Sequence, residues 1–132
     1  MAFHELCVHR EGVHSLPRVS LWQQVWEWSQ TAFQAVAPHC DAGGRLIEQF
    51  SCAGLPQPTL FCEAPVGGGN DSPLYAWTAE TLKSFLPQLV RMGVVTADMV
   101  AIETLETRLR NAVVGARSQI VGPAQFCAWT RV

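Results

Sequence analysis

An acid, a thiol and an imidazole alternate near the start of the chain, at Glu5, Cys7 and His9. Residues two apart on a β-strand share one face, so an extended segment from Ala2 to Val8 aligns these groups. A carboxylate that orients an imidazole, which then activates a thiol, is the arrangement of a nucleophilic enzyme. However, neighbours two apart on a strand are roughly 7 Å from one another, beyond hydrogen-bond reach. The spacing therefore favours a half-buried strand end over a nucleophilic site.

Histidine and cysteine together also raise the question of zinc, because zinc prefers imidazole and thiolate ligands. The nearest candidates are His4, Cys7, His9, His14, His39 and Cys40. His4 and Cys7 point to opposite faces of the predicted strand, so their spacing matches no standard zinc pattern. The five cysteines are odd in number and never form a C-x-x-C pair, which argues against a disulfide framework. We expect buried thiols, no metal site and no catalytic residue.

Aromatic side chains stand at helical spacing in two segments. They are Trp22, Trp26 and Trp28 in the first segment, and Tyr75 and Trp77 in the second. Aromatic residues with this spacing usually fill a core, because they bury large apolar areas. A hydrophobic ligand pocket or a subunit interface also concentrates tryptophan and tyrosine. These alternatives stay open on the sequence alone.

Apolar periodicity, capping residues and turn residues predict the elements that position these side chains. We expect one domain over residues 1–132. Prolines on both sides of the second strand indicate an edge position, since proline lacks the N–H of a central ladder. The predicted strands run from Ala2 to Val8, from Thr59 to Ala64 and from Gln125 to Thr130. The first two helices run from Leu21 to about Ala37, capped by Ser20, and from Arg45 to Ala53. After a loop over 66–73, we expect a helix that Pro87 kinks or interrupts, and then a helical stretch that begins at Thr96, breaks near Ile102 and is recapped by Thr104.

The order of these elements and four short stretches together resemble one enzyme family. The stretches are Ala2-Phe3-His4-Glu5, Ala53-Gly54-Leu55-Pro56, the segment from Glu63 to Tyr75, and Ala128-Trp129. The chain resembles the C-terminal, substrate-side half of class I S-adenosylmethionine-dependent methyltransferases of the small-molecule branch, over essentially its whole length. The resemblance implies an α/β (α+β-like) fold: a small three-stranded mixed sheet in the family order 5-7-6, with the last strand in the middle and a helical lid.

The same resemblance implies where a ligand binds. In the family, this first strand ends beside the substrate, and the lid corresponds to helices at about 20–37 and 73–115. A small hydrophobic or aromatic ligand is the expectation for this pocket. The implied ligand-binding residues are Glu5, Trp22, Trp26, Tyr75 and Trp77.

The family holds its cofactor with a glycine-rich turn and an acidic strand end, and neither is found in this sequence. Gly67-Gly68-Gly69 is a poor substitute, because Asp71 follows it and the lysine of a phosphate loop is missing. We therefore expect no cofactor. S-adenosylmethionine would bind only if a separately encoded N-terminal half completed the fold.

In the complete family fold, another strand covers the first strand of this chain. Left open, a largely apolar strand edge invites pairing with another chain. A homodimer with one continuous sheet is the simplest solution, and a separately encoded N-terminal half is the alternative. The candidate interface residues are Phe3, His4, Leu6 and Val8.

Composition excludes some classes of function. The chain has 132 residues, a net charge of -2 and 15% charged residues, so it offers no basic surface for nucleic acid. A secretory signal and an apolar run of membrane-spanning length are both missing, which predicts a soluble cytoplasmic protein without a membrane partner.

Three functional hypotheses follow. The first is a non-catalytic, methyltransferase-derived homodimer that binds a small hydrophobic or aromatic ligand. The second is the substrate-side subunit of a split methyltransferase. The third is an unrelated small enzyme that uses a cleft beside Glu5.

Overall fold

The computed structural model describes residues 1–7, 12–37, 39 and 41–132, and within these ranges the fold is α+β. A short 3-10 turn, Ala42–Arg45, precedes the second helix. The strands are β1 (Ala2–Cys7), β2 (His14–Leu16), β3 (Thr59–Glu63), β4 (Val66–Gly67), β5 (Gln119–Val121) and β6 (Ala124–Trp129). The helices are α1 (Ser20–Val36), α2 (Leu46–Cys52), α3 (Leu74–Arg91), α4 (Ala97–Val100) and α5 (Ile102–Gly115).

The strands form two three-stranded sheets, in the orders β1-β6-β3 and β2-β5-β4. The expected position of the last strand between the first strand and Thr59–Glu63 is confirmed, as is the edge position of β3. The expected mixed sheet is wrong. β6 runs antiparallel to both β1 and β3, so no parallel pair is formed in this sheet.

The two sheets are successive halves of one bent arrangement. β3 continues into β4 through Ala64-Pro65, and β5 continues into β6 through Gly122-Pro123. Proline has no N–H to donate, which interrupts the ladder at this level. The Gly122 N–H donates to the Pro65 carbonyl over 2.9 Å and joins the halves. The expected loop over 66–73 therefore begins as a strand.

The helices and the sheet halves enclose two apolar clusters. The larger lies among α1, α3, α5 and β5, and the smaller lies between α2 and one face of the β1-β6-β3 sheet. No described helix combines the length and apolar composition needed to cross a lipid bilayer. The largest buried side chains of the first cluster are Trp22, Tyr75, Leu82, Leu89, Leu105, Leu109 and Ile120.

The start of α1 differs from the expectation. Ser20 is its first helical residue, whereas Val19 occupies the N-cap position. The hydroxyl of Ser15 accepts a hydrogen bond from the Val19 N–H over 2.7 Å, which fixes the chain just before the helix. The expected Ser20 cap is therefore wrong by one residue.

The later helices confirm one expected cap and the expected break near Ile102, and they correct a second cap. Thr96 caps α4, since its hydroxyl accepts from the Met99 N–H over 3.2 Å. Thr104 does not recap the chain but lies inside α5, and the break falls at Ala101, whose backbone is left-handed (φ 45°, ψ 59°). Of the two alternatives expected at Pro87, a restart is excluded, because α3 continues through this residue to Arg91, and a kink stays a prediction.

Candidate functional site

A cleft of about 170 Å³ lies between α1, α3 and β1. Helix α1 contributes Trp26, Ser29 and Phe33, and β1 contributes Leu6. Residues three and four apart share a helix face, so each helix directs one stripe into the cleft. An apolar cavity of about 150 Å³ accommodates benzene, so this cleft has the size for one aromatic ring. Helix α3 contributes Trp77, Thr81, Ser84 and Phe85.

Two aromatic pairs hold α1 against α3 along the cleft. The ring centroids of Trp26 and Trp77 are 5.5 Å apart, and those of Phe33 and Phe85 are 6.4 Å apart with nearly perpendicular planes. The pairs lie two helical turns apart, roughly 11 Å along the axis. Edge-to-face and tilted contacts of this kind are favourable aromatic geometries. The aromatic residues that line the cleft are therefore fixed by contacts between α1 and α3.

The polar side-chain groups of the lining residues are three hydroxyls and the indole N–H groups of Trp26 and Trp77. Ser29, Thr81 and Ser84 donate to backbone carbonyls of their own helices over 2.9, 2.8 and 2.7 Å. Their oxygens keep acceptor capacity. The indole nitrogen of Trp26 is buried and has no acceptor among the described residues. A buried N–H without an acceptor costs about 1–3 kcal/mol, and because this nitrogen is closed off from solvent, a ligand reaches it only if the Trp26 side chain shifts.

Trp77 is held against the bend of the sheet. A Cβ atom built on Gly122 would lie 2.9 Å from Pro65 Cγ and 3.2 Å from the Trp77 ring. Only glycine allows the strand, the proline and the indole to approach this closely. The bend between the sheet halves thus positions one wall of the cleft.

Of the aromatic residues predicted to bind ligand, the structure brings two together on the cleft, Trp26 and Trp77. Trp22 and Tyr75 instead lie fully inside the core. Trp22 makes an edge contact with Trp26, with centroids 6.0 Å apart, and so supports the cleft wall from behind.

Tyr75 has a structural contact of its own. Its phenol donates to the Gly69 carbonyl over 2.7 Å, which ties the glycine loop to α3. Burial raises the pKa of the Tyr75 phenol above its usual value, and the Arg110 guanidinium, 5.6 Å from the ring centre, lowers it by less. The phenol therefore remains a neutral donor at physiological pH.

Glu5 lies on the other side of the sheet from the cleft. Phe3, Glu5 and Cys7 share a strand face, and Phe3 contacts Phe50 of α2 with ring centroids 5.4 Å apart. Leu6 points to the opposite face and lines the cleft. The structure therefore does not bring Glu5 together with Trp26 and Trp77, and His9 lies outside the described residues.

The predicted dimer residues divide between several environments. Phe3 packs on α2, Leu6 lines the cleft, and His4 is exposed. Val8 lies outside the described residues. These side chains therefore do not form one common surface, and a dimer would pair through the backbone of β1 instead.

The other helical residues of the cleft lie three, four, seven or eight positions from Trp26 or Trp77, which is the spacing of one helix face. They are Ser29, Phe33, Thr81, Ser84 and Phe85. No protein-family model, curated protein or solved structure matches the chain. The cleft is therefore assigned from its shape and chemistry.

A second group of reactive side chains lies on the exposed face of the β1-β6-β3 sheet. One ligating atom each from His4, Glu63 and Cys127 lies within 4.8 Å of the other two. Desolvation raises the pKa of the Cys127 thiol, and Glu63 and Cys62 raise it further. A thiol nucleophile needs a lowered pKa, so this group does not have the electrostatics of a cysteine–histidine catalytic site.

Proposed function

We propose that this chain is a non-catalytic, homodimeric binding protein, related to the substrate-side half of a methyltransferase, that holds a small aromatic molecule. The observation that carries the proposal is the cleft walled by Trp26 and Trp77. Ligand pockets typically combine aromatic walls with a few placed polar groups. The cleft has both.

The lining residues of the cleft indicate the charge, size and polarity of its ligand. None of the lining side chains ionises, so a neutral molecule fits better than an anion or a cation. The volume of about 170 Å³ admits one substituted ring. A shift of the Trp26 side chain that turns its buried indole N–H toward the cleft would favour a ring that bears a hydrogen-bond acceptor. Acetophenone has this size and chemistry and serves as the probe.

The same residues support a role without catalysis. General acid–base and nucleophilic mechanisms need a titratable or nucleophilic group beside the substrate. The hydroxyls of Ser29, Thr81 and Ser84 have no adjacent base on the cleft wall. Such a site can bind and release a ligand unchanged.

The experiment is a calorimetric titration of the wild type with acetophenone. A ligand with so few atoms gives a Kd of about 0.1–1 mM. Replacing Ser84 with leucine fills part of the cleft. Lys83→Leu is the control, because Lys83 is the next residue along α3 and its side chain is exposed and outside the cleft. We expect S84L to weaken binding at least tenfold and K83L to leave it unchanged. Equal affinities in both variants would contradict the proposal.

The edge of β1 supports the dimer. Met1 and Thr130 exchange both backbone hydrogen bonds, of 2.8 and 3.0 Å. Such pairs alternate in an antiparallel ladder, so Ala2, His4 and Leu6 direct their N–H and C=O groups away from β6. In the described part of the chain β1 pairs with β6 alone. A second copy of β1 across a two-fold axis would satisfy this edge.

Light scattering behind a sizing column tests the dimer. His4→Pro removes an outward N–H, whereas His4→Asn removes the imidazole but keeps that N–H. We expect the wild type and H4N to be dimers and H4P to be a monomer. A monomeric wild type, or a dimeric H4P, rules out pairing through β1.

The second hypothesis, a split methyltransferase, draws support from the strand order. β6 lies between β1 and β3, which is the order that the resemblance implies. In this case the β1 edge would pair with a separate polypeptide that holds the cofactor. Calorimetry with S-adenosylmethionine distinguishes the binding protein from the split methyltransferase. Tight binding of the cofactor by the isolated chain contradicts both hypotheses. Binding only after a cofactor-holding polypeptide is added favours the split methyltransferase.

A further inference from the structure

We propose that His4, Glu63 and Cys127 form a three-ligand site for Zn²⁺, open to solvent at the fourth position. Each residue comes from a different strand of the β1-β6-β3 sheet. Imidazole nitrogen, carboxylate oxygen and thiolate sulfur are the three ligand types that zinc uses in proteins. The proposed site shares no residue with the aromatic cleft, although His4 and the cleft residue Leu6 lie on the same face of β1.

Strand register explains why these residues meet. His4 is directly opposite Cys127 in the β1–β6 pair, and it belongs to the set that does not exchange hydrogen bonds. Side chains of such pairs are the closer ones in an antiparallel ladder. Glu63 is opposite Gln125, one diagonal step from Cys127, and reaches it from the other side of β6.

The distances suit a metal after small side-chain adjustments. Zinc bonds of about 2.0–2.3 Å in a tetrahedron place the ligand atoms about 3.3–3.8 Å from each other. The present atoms lie within 4.8 Å of one another. His4 and Glu63 are exposed, so rotation of their side chains can supply the remaining ångström.

Two aromatic residues lie beside the proposed metal site, and one side of the site stays open to solvent. Phe61 is directly opposite Cys127 on β3, and Trp129 is two residues along β6 on the same face. Cys62 points to the other face, so it does not complete the set. With three protein ligands the fourth position stays open to water or a ligand, whereas a structural zinc site is closed by a fourth protein ligand.

The outcome differs from the zinc candidates read from sequence spacing. Cys7 is buried on the opposite sheet face from His4, as expected. The expectation of buried thiols is wrong for Cys52 and Cys62, which are exposed, and Cys127 is half-buried. The edge position of β3 leaves both of its faces accessible, which explains Cys62.

The test is a titration of the reduced full chain with Co²⁺, followed by displacement with Zn²⁺. Tetrahedral cobalt with a thiolate ligand gives visible ligand-field bands and a near-ultraviolet charge-transfer band. We expect one metal per chain. Cys127→Ser should abolish the charge-transfer band, and His4→Asn and Glu63→Gln should each weaken binding at least tenfold.

Cys62→Ser is the matched control, because this thiol belongs to the same sheet and faces away from the site. His14→Asn is the matching control for the imidazole, on the other sheet half. Both should bind Co²⁺ as the wild type does. An unchanged charge-transfer band in C127S, equal losses in C62S, or no binding by the wild type would overturn the proposal.

Discussion

The indole rings of Trp26 and Trp77 meet with centroids 5.5 Å apart and planes inclined by 53°, one on α1 and one on α3. Neither ring is stacked flat on the other, so both remain available as walls of the cleft. The contact therefore both fixes the helix pair and shapes the binding site. A change in either ring should affect binding and stability together, whereas a change of polarity alone should affect only binding.

Replacing Trp26 with phenylalanine tests the polar part of the site. A six-membered aromatic ring is kept, but the pyrrole ring with its buried N–H is lost. We expect the affinity for acetophenone to fall about 5- to 10-fold, the usual effect of one net hydrogen bond. Isopropylbenzene, in which a methyl group replaces the carbonyl oxygen, should bind the variant and the wild type alike in calorimetry.

Trp129→Phe is the control for this substitution. It also replaces an indole with a phenyl ring, but Trp129 lies on β6 and does not line the cleft. It should leave both affinities unchanged. If W26F weakens both ligands equally, the N–H is not the group that they contact.

Gly122→Ala tests the bend. Its Cβ would meet Pro65 Cγ at 2.9 Å and the Trp77 ring at 3.2 Å. We expect a loss of about 1–3 kcal/mol in the free energy of unfolding, the usual cost of overpacking, measured by urea denaturation. Gly115→Ala is the control, since no atom outside its chain neighbours and the backbone of its own helix lies within 4 Å of the added carbon. Equal midpoints for the two variants would contradict the close approach.

Tyr75 predicts a pH dependence. Its folded pKa is raised by burial, so its contribution to stability is complete below the unfolded pKa of about 10 and is lost as pH rises through the folded pKa. The chain has a single tyrosine, so tyrosinate absorbance reports this group alone. We expect tyrosinate to form together with alkaline unfolding, and only above its ordinary pH.

Tyr75→Phe should reduce this alkaline dependence. At neutral pH it should cost about 1 kcal/mol, because the hydrogen bond to the Gly69 carbonyl is lost. Ionisation at the ordinary pH in a chain that stays folded would show that the phenol is not desolvated.

Thr96→Ala tests the cap of α4. Loss of the hydroxyl that accepts from the Met99 N–H should cost about 1 kcal/mol in urea denaturation. Thr107 is exposed in the middle of α5, so Thr107→Ala should be neutral or slightly stabilising. Equal destabilisation by both substitutions would assign the loss to something other than capping.

The sequence predicts the long elements well and the short ones poorly. The periodic stripes of α1 and α3 and the prolines around β3 are strong local signals. β2, β4 and β5 have only two or three residues each, too few to show an alternation. The antiparallel pairing and the bend depend on contacts between distant segments, so local patterns did not predict them.

The same limit applies to the site. Helical spacing identifies the stripes that contain Trp26 and Trp77, but it does not distinguish a cleft wall from a core position such as Trp22. His4, Glu63 and Cys127 become neighbours only through strand register. Spacing rules for metal ligands work within one segment and therefore missed them.

The Gly122–Pro65 hydrogen bond connects the two sheet halves at the point where one leads into the other. This amide lies at the joint between a half covered by the large helical cluster and a half covered mainly by α2. Its hydrogen exchange reports whether the halves open separately or as one cooperative unit. If they open as one, the aromatic cleft and the ligating face of β1 and β6 belong to the same unit, and stabilising either one protects both.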